Sequence, residues 1–366
     1  MGFVRLLPTR GGAAVPGAAA AAALALATAF ALTGCTSSSP TGSVSTATPT
    51  SGASVPGAAA QQQNFVGVIK RVLPSVVEIR TSSGLGSGVV FDAAGDIVTN
   101  AHVVGTATSF QVLLSSSTAP LPATLVGKYE PDDLAVIKVS GAKNLRPAVF
   151  GDSSKLQVGD IVLAIGNPLG LSSSVTDGIV SAVGRIVSEP SESGQQGATL
   201  PDAIQTSAAI NPGNSGGALV GIDGRVVGIP TLAAVNQQAG GAAPGIGFAI
   251  SSNTATDIAK QLVATGHVTN SHRAALGVQV TTVVGPDGTP AGAGITSVTS
   301  GGPADKAGLQ AGDVITAVNG TSTPDTQTLA GVLAGLHPGQ TVTVAVTHSD
   351  GTTGTVRVTL GQLPGS

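Results

Sequence analysis

Short apolar runs recur along residues 64–265, and turn residues separate them. Val and Ile dominate these runs, and pairs such as Gly-Asp, Asn-Pro and Asp-Gly stand between them. Many short strands at regular spacing are typical of a β-barrel or a β-sandwich. We therefore predict strands at Ser75–Arg80, Gly88–Phe91, Ile97–Thr99, Gln111–Leu114, Leu134–Val139, Ile161–Ile165, Gly178–Val183, Arg225–Ile229 and Gly247–Ile250.

A helical period follows these runs at the end of the same region. Ile258, Ala259, Leu262 and Val263 form one apolar stripe. Asn253 stands where a residue could cap the helix, and Gly266 stands where one could end it. We expect this helix to close the strand-rich domain and to lead out of it.

Residues 272–361 repeat the pattern of strands and turns on a smaller scale. A helix is predicted from Thr323, with Pro324 in its first turn, and a hairpin is predicted over 341–347 and 353–360. The stretch Ala307-Gly308-Leu309, followed by Gly312-Asp313-Val314-Ile315, resembles that of a PDZ domain. The resemblance covers the whole segment and implies a small β-barrel or sandwich with two helices.

A PDZ domain binds an extended C-terminal peptide at the edge of its sheet. The resemblance implies that a loop around Leu276, Gly277 and Val278 holds the peptide carboxylate, and that Leu329 and Val332 line the groove. Arg273 would add positive potential beside that loop.

The first 34 residues differ in composition from the rest. Arg5 and Arg10 precede an Ala/Leu-rich run that ends at Leu32-Thr33-Gly34-Cys35. A positive start and an apolar run are typical of a signal peptide. Small residues directly before the single cysteine of the chain resemble the lipobox (residues 32–35) of bacterial lipoproteins, which implies cleavage before Cys35 and its acylation. An uncleaved membrane anchor and ordinary secretion are the alternatives.

Residues 35–63 are rich in Ser, Thr, Pro and Ala, and no charged residue occurs between Arg10 and Lys70. Such a segment cannot bury a core, so we predict a flexible tether with a reach of about 25–30 Å. Each N-terminal alternative places the later domains outside the cytoplasm.

The overall charge excludes some function classes. Only 10% of the residues are charged and the net charge is −3, so the chain has no basic nucleic-acid footprint. The five histidines are scattered and there is one cysteine, so we expect no metal site and no cofactor.

Candidate chemistry concentrates in three residues of the larger domain. His102, Asp133 and Ser215 follow one another in an order that, among hydrolytic triads, is typical of chymotrypsin-like β-barrels. Asp132 competes with Asp133, but Asp133 directly precedes an apolar strand, so we expect Asp132 to be a solvated turn residue. Ser215 would be the nucleophile, His102 the base and Asp133 the group that orients the base.

Glycines beside the serine fit the same chemistry. Gly213 can take a conformation that aims its N–H, with that of Ser215, at one point. We therefore predict an oxyanion hole in the segment Gly213, Asn214, Ser215.

Residues 64–265 resemble the protease domain of the HtrA/DegP family, which implies a chymotrypsin-like double β-barrel. Two departures are Ser207, where the family usually has Asp, and Ala218, where Pro is common. The matching stretches are Gly-Ser-Gly-Val-Val at 86–90, Thr-Asn-Ala-His-Val-Val at 99–104, Asp-Leu-Ala-Val at 133–136, Ala-Ile-Gly-Asn-Pro-Leu-Gly at 164–170, Gly-Ile-Val-Ser at 178–181, Gln-Thr at 205–206, Asn-Pro-Gly-Asn-Ser-Gly-Gly at 211–217 and Gly-Ile-Gly-Phe-Ala-Ile at 245–250.

The specificity pocket is expected to be apolar. Trypsin-like digestive enzymes carry Asp at the position of Ala209, so a basic side chain would lack a partner here. Ile210, Ile229 and Phe248 are predicted to line the pocket, which favours cleavage after small or medium aliphatic residues. Asn214 replaces the Asp that pairs with a newly cut N-terminus in digestive enzymes, so we expect regulation through a loop at 186–200 instead.

Together these features predict a membrane-tethered, extracytoplasmic serine endopeptidase for misfolded or exposed polypeptides, with a PDZ domain that binds C-terminal peptides. The resemblance implies a homo-oligomer, a trimer formed through a segment such as Phe65–Leu73. The alternatives are a peptide-binding chaperone or scaffold with a silent protease fold, and a signalling protease that cuts one membrane partner.

Overall fold

The computed structural model describes residues 57–82, 84–115, 117, 119–167, 174–188, 198–211, 213–236 and 241–365. The predicted signal peptide, the lipobox with Cys35 and residues 35–56 of the predicted tether lie outside this range. In the described part, no helix combines the length and the apolar character needed to cross a membrane.

A helix, α1 (Ala58–Val72), precedes the first strand. Residues 58–63 were predicted as part of the tether, so that prediction is corrected here. The helix forms here because Ala and Gln favour a helix, even in a segment with few large apolar residues. Val68 and Val72 of α1 are buried in the main core.

The first barrel is closed, with strand order β1-β2-β3-β6-β5-β4, and every neighbouring pair is antiparallel. A short helix, α2 (Ala101–Val104), follows the third strand directly. The strands are β1 (Val76–Arg80), β2 (Leu85–Val90), β3 (Asp96–Thr99), β4 (Ser109–Leu114), β5 (Leu121–Tyr129) and β6 (Leu134–Val139).

The second barrel repeats this closed, antiparallel arrangement in the order β10-β11-β12-β9-β8-β7. Its strands are β7 (Ile161–Gly166), β8 (Ser174–Ser188), β9 (Thr199–Thr206), β10 (Ala218–Gly221), β11 (Val226–Asn236) and β12 (Gly241–Ser251). The double β-barrel implied by the resemblance to the HtrA/DegP family is therefore confirmed.

Three strands were missing from that prediction, namely β5, β9 and β10. β5 contains Pro122 and Gly127, and β9 contains Pro201 together with Asp202, whose φ is 55°. Such residues weaken a strand signal, and pairing on both sides overrides it here. β10 is simply short.

The predicted closing helix is α3 (Ser252–Thr265). Its N-cap is Ser251, whose hydroxyl accepts from the Thr254 N–H, so the predicted cap at Asn253 is wrong. Asn253 lies inside the helix, where its side chain donates to Asp152. Gly266 ends the helix in the left-handed conformation, φ 76°, as predicted.

The C-terminal domain is a sheet in the order β14-β15-β16-β18-β19 with two short helices and its own core. β17 pairs with β16, and β13 pairs with β20. The helix predicted from Thr323 begins at Thr326, because Asp325 is the N-cap. The elements are β13 (Ala274–Ala275), β14 (Val278–Val284), β15 (Pro290–Val298), α4 (Pro303–Lys306), β16 (Val314–Val318), β17 (Thr321–Ser322), α5 (Thr326–Ala334), β18 (Thr341–Thr347), β19 (Thr353–Thr359) and β20 (Gly361–Gln362).

The docking of α3 on the barrels gives a stability prediction. Leu262 is fully buried in the main core, so Leu262→Ala should lower the free energy of unfolding by about 2–5 kcal/mol. The exposed Lys260 lies on the same helix, and Lys260→Ala should change it by less than about 0.5 kcal/mol. Urea unfolding followed by circular dichroism would measure both; equal effects would contradict the packing of this helix.

Candidate active site

Asp133 is a buried carboxylate at the junction of the two barrels. It is 2% exposed. Its Oδ1 accepts from the backbone N–H of His102 at 2.9 Å, and its Oδ2 contacts His102 Nδ1 at 2.8 Å. The hydroxyl of Thr231, on β11 of the second barrel, also donates to Oδ2. These donors replace the hydration that the buried carboxylate has lost.

The chain reaches Asp133 through a 3-10 turn, Glu130–Asp132. Asp133 ends that turn in the left-handed conformation, with φ 51° and ψ 42°, and its N–H donates to the Glu130 carbonyl. The Asp133 carbonyl accepts from the Ala101 N–H and from the Asn100 side-chain amide. The backbone carbonyl of this aspartate is thus tied to the chain segment that carries His102.

His102 lies in α2, directly after β3. Its side chain is 43% exposed, in contrast to the carboxylate beneath it. Donation from Nδ1 to Asp133 selects the tautomer in which Nε2 is the basic nitrogen. The pair therefore presents a basic nitrogen on a partly exposed ring that a buried charge orients.

Ser215 lies in the loop between β9 and β10, and the second barrel supplies it. Its hydroxyl donates to the Thr231 carbonyl in a long hydrogen bond of 3.4 Å. Thr231 thus contacts Ser215 with its carbonyl and Asp133 with its hydroxyl. The structure brings His102, Asp133 and Ser215 together in one hydrogen-bonded unit through Thr231, a residue that the sequence analysis missed.

Ser87 on β2 holds the serine loop from the opposite barrel. Its N–H donates to the Ser215 carbonyl at 3.0 Å, and its hydroxyl donates to the Gly213 carbonyl at 2.6 Å. The same hydroxyl accepts from the Asn167 N–H. Gly216 lies so close that an added Cβ would overlap the Ser87 carbonyl and the Thr99 hydroxyl. Ser87 was also missed, because only its place in the fold distinguishes it from other strand serines.

The predicted oxyanion segment divides into two roles. Gly213 has φ 111°, and within the described part of the chain neither its N–H nor that of Ser215 donates to another residue. The Asn214 N–H, in contrast, donates to the Asn211 carbonyl, and its side chain donates to the Ala209 carbonyl. The prediction is corrected for Asn214, which braces the loop and has no backbone N–H to offer.

The predicted pocket residues differ in exposure. Ala209 is exposed, and Phe248 is half-buried. Ile210 is buried and packs against Gly247, where an added Cβ would overlap it. Ile229 lies fully buried in the main core, so its prediction as a pocket-lining residue is corrected.

Ser207, where the HtrA/DegP pattern usually has Asp, lies close to this region. Its hydroxyl accepts from the Ile179 N–H at 3.0 Å, and its own N–H donates to the Ile179 carbonyl. A serine thus provides the acceptor that this turn needs.

Asp132 was predicted to be solvated, and this is wrong. It is buried and pairs with Arg273 at 2.8 Å. Burial raises the pKa of Asp132 to about 6, even though the guanidinium of Arg273 lowers it. Arg273 is therefore committed to this turn, so the positive potential predicted from it beside the peptide loop is corrected as well.

The predicted peptide-binding residues of the C-terminal domain lie at several depths. Gly277 has φ 73°, and Val278 is half-buried at the start of β14. Leu329 is buried in the domain core, so its prediction as a side chain that lines the peptide groove is corrected. Leu276 is buried as well, but its prediction concerns the backbone N–H groups of the loop and stays a prediction. Val332 lines a cavity of about 670 Å³, together with Ile186, Ser188, Thr321, Gln327, Thr328 and Gly331.

Comparison with known proteins adds two domain matches. Residues 86–229 match the family described as trypsin-like peptidase domain, and residues 274–360 match the PDZ domain family.

Curated relatives are serine proteases. The chain is 41% identical to "Serine protease PepD" of Mycobacterium tuberculosis over 325 residues, which cover 84% of this chain and 68% of that protein. It is 39% identical to "Serine protease Do-like HtrA" of Lactococcus lactis, over 76% of this chain and 71% of that one. Against a DegP-like periplasmic endoprotease of Bartonella henselae the identity is 42%, and the chain spans about half (53%) of that protein.

Solved structures show the same arrangement. A serine endoprotease from Yersinia pestis has a TM-score of 0.54 and 33% identity, and the match covers 82% of this chain and 98% of that one. The HtrA-type protease AlgW with a decapeptide has a TM-score of 0.54 and 32% identity, over 82% of this chain and 99% of that one.

The bridging role of Thr231 gives a kinetic prediction. Thr231→Val keeps the shape of the side chain but removes the donor to Asp133, a hydrogen bond to a charged group that contributes about 1.5–3 kcal/mol. Peptide hydrolysis should therefore slow roughly 10- to 100-fold. Thr231→Ser keeps the hydroxyl and should stay within about threefold of the wild type; equal rates for the two variants would show that the hydroxyl is dispensable.

Proposed function

Because the chain belongs to the HtrA/DegP family of serine proteases and is a serine endopeptidase, we propose that His102, Asp133 and Ser215 are its catalytic triad. The observation that carries this proposal is the hydrogen-bonded unit in which Asp133 contacts His102 Nδ1 and Thr231 bridges Asp133 to Ser215. The three residues come from both barrels, yet one set of contacts joins them.

In this proposal Ser215 Oγ attacks the carbonyl carbon of the scissile bond. His102 Nε2 takes the hydroxyl proton as the bond forms and later delivers it to the leaving amine. Asp133 stays ionised and stabilises the imidazolium that forms between these steps. A water molecule then hydrolyses the acyl-enzyme by the same route in reverse, and Ser215 regains its proton.

The N–H groups of Gly213 and Ser215 form the oxyanion hole. Neither donates to another described residue, so both can donate to the negative oxygen of the tetrahedral intermediate. Ser87 supports this arrangement because it fixes the carbonyl groups of the same two residues. The donors are in place before the charge develops, which is what makes such a site effective.

Cleavage follows small or medium aliphatic residues. Ala209 supplies no carboxylate, and Ile210 and Phe248 are apolar, so a Lys or Arg side chain would lose its hydration without gaining a partner. An aliphatic side chain of moderate size carries no such cost.

The C-terminal domain binds extended C-terminal peptides by strand addition at β14. β14 stands at one end of the strand order of its sheet, so its outer edge is open to a further strand within the described part of the domain. The backbone N–H groups of Leu276, Gly277 and Val278, at the start of β14, hold the peptide carboxylate in this proposal. The structure of the related protease AlgW with a decapeptide supports peptide binding in this family.

The enzyme acts outside the cytoplasm on misfolded or exposed polypeptides, and acylated Cys35 holds it at the membrane. The names of two curated relatives place those proteins in the periplasm. Subunits associate as a homo-oligomer, a trimer, through the segment Phe65–Leu73 of α1 and the turn after it, where Val66 is 42% exposed.

The activity is tested with residues 54–366, which form one compact unit. The wild type should degrade reduced casein, and Ser215→Ala should lose at least about 1000-fold in rate because the nucleophile is gone. Ser322→Ala, at an exposed serine of β17, is the matched control and should leave the rate unchanged.

Mass spectrometry of the products reads the specificity in the same experiment. New C-termini should be mostly Val, Ala and Leu, and a predominance of Lys or Arg would contradict the apolar pocket. If the wild type cleaves nothing, with or without added hydrophobic C-terminal peptides, the chaperone alternative is favoured.

The membrane anchor is tested on the full chain expressed in a bacterial host. Cys35→Ser removes the only cysteine and with it the acceptor for acylation. The protein should move from the membrane fraction to the soluble extracytoplasmic fraction, or remain as unprocessed precursor, and should lose labelling by a fatty-acid probe. Unchanged membrane association without label in the wild type would instead favour an uncleaved anchor.

A further inference from the structure

We propose that Arg273 is a positioning residue for Asp133, through the turn that precedes it. This inference rests on the proposed function, because it assigns Arg273 a role in the triad. Arg273 lies beyond α3, in the segment that leads into the C-terminal domain, and it is separated from Asp132 by 141 positions. Arg273 lies outside all the sequence stretches through which the larger domain resembles the HtrA/DegP family.

The contacts of the guanidinium are specific. Arg273 Nη1 donates to the Asp132 carboxylate at 2.8 Å and to the Pro131 carbonyl at 2.6 Å. Its side chain is 10% exposed and that of Asp132 is 2% exposed. One nitrogen thus holds the backbone of one residue and the side chain of the next, which fixes both the place and the rotation of the turn.

These two acceptors immediately precede Asp133. Asp133 takes the left-handed conformation, which is unfavourable for a non-glycine residue and therefore needs support from its surroundings. Asn100 and Ala101 hold its carbonyl, and His102 and Thr231 hold its carboxylate. Arg273 holds the chain on the other side, before the Asp133 N–H.

Arg273 is itself fixed at its backbone. Its N–H donates to the Ser271 hydroxyl, which in turn donates to the Leu363 carbonyl at 2.7 Å. The Leu363 N–H donates back to the Arg273 carbonyl at 2.7 Å. The guanidinium therefore extends from an anchored residue, as a group that positions another must.

Because Asp132 is buried, its pairing with Arg273 affects the conformation of the turn Glu130–Asp132. The charged and titratable groups that act on Asp132 are Arg273 and the phenol of Tyr129, whose own pKa burial raises to about 12, so it stays neutral. Without Arg273, an ionised Asp132 would have no compensating charge, and it would either bind a proton or turn toward water. Either change alters the turn on which Asp133 ends.

The test compares Arg273→Met and Arg273→Lys with His272→Asn in the full chain. Met keeps the length without charge, and Lys keeps the charge with a single amine on a shorter side chain. His272 is the neighbouring exposed residue with φ 54°, a conformation that Asn tolerates, so it controls for disturbance of the segment. The substrate is a short peptide with an amidated C-terminus, which the C-terminal domain cannot bind by its carboxylate.

We expect Arg273→Met to lower kcat about 10- to 100-fold and to leave KM within about threefold of the wild type. The substrate still binds, but His102 is no longer held in the correct orientation by Asp133. Arg273→Lys should fall between it and the wild type, and His272→Asn should match the wild type. Asp132→Asn should resemble Arg273→Met, and the double variant should be no slower than the slower single one, since both remove the same contact.

A spectroscopic readout separates positioning from stability. The His102 Nδ1–H that donates to Asp133 should give a low-field proton resonance in the wild type, and Arg273→Met should weaken or shift it while the chain remains folded by circular dichroism. A lower melting temperature with unchanged kcat and resonance would overturn the proposal, as would a rise in KM alone. If the wild type does not cleave peptides, the proposed function fails, yet loss or persistence of the resonance still decides the role of Arg273.

Discussion

The buried charge of Asp133 is the constraint on which the rest of the active site depends. An ionised carboxylate that is 2% exposed is tolerated only where donors replace the water it has lost. Two of these donors belong to His102 on the first barrel, and the third is the Thr231 hydroxyl on the second. The charge is therefore satisfied only when the barrels are docked, and docking brings Asp133 to Thr231, whose carbonyl contacts Ser215 within the second barrel.

A second set of contacts crosses the same junction in the opposite direction. Ser87, on the first barrel, holds the carbonyls of Gly213 and Ser215 on the second. The close approach of Gly216 leaves no room for a Cβ there, which explains the glycine after the serine in structural terms. The neighbouring barrel thus holds the loop through its carbonyl groups, and in the proposed mechanism donors held in this way need not reorganise when charge develops.

Sequence reasoning is most direct where chemistry and local pattern coincide. His102, Asp133 and Ser215 stand in short motifs with a characteristic order, and the structure places them together. Thr231 and Ser87 were missed because a hydroxyl in a strand gives no signal of what lies opposite it.

The prediction that Asp132 is solvated was wrong for a related reason. Local sequence suggests an exposed turn, but the residue that buries it, Arg273, comes from beyond the domain. The cap of α3 was misplaced for a smaller reason, since Ser251 and Asn253 are both suitable caps and only the path of the backbone chooses between them.

The register of β3 against β6 sets the relative position of His102 and Asp133. His102 follows β3 and Asp133 precedes β6, so the relative position of the two residues depends on the pairing of these strands, in which Thr99 lies opposite Ala135. A slip by one residue would move one of them by about 3.4 Å and turn the strand over, so the contact would be lost. At the far end of the same pair, Lys138 contacts the buried Asp96 at 2.8 Å, and at the near end Arg273 holds the turn before Asp133.

Ion pairs of this kind add little net stability compared with apolar packing, but they favour one arrangement over its neighbours. In a chain with only 10% charged residues, two buried carboxylates that pair with Lys or Arg, Asp96 and Asp132, lie at the two ends of the strand pair that carries the histidine and the aspartate. Apolar side chains hold the barrel closed, while Asp96 meets Lys138 only in the register that also brings His102 to Asp133.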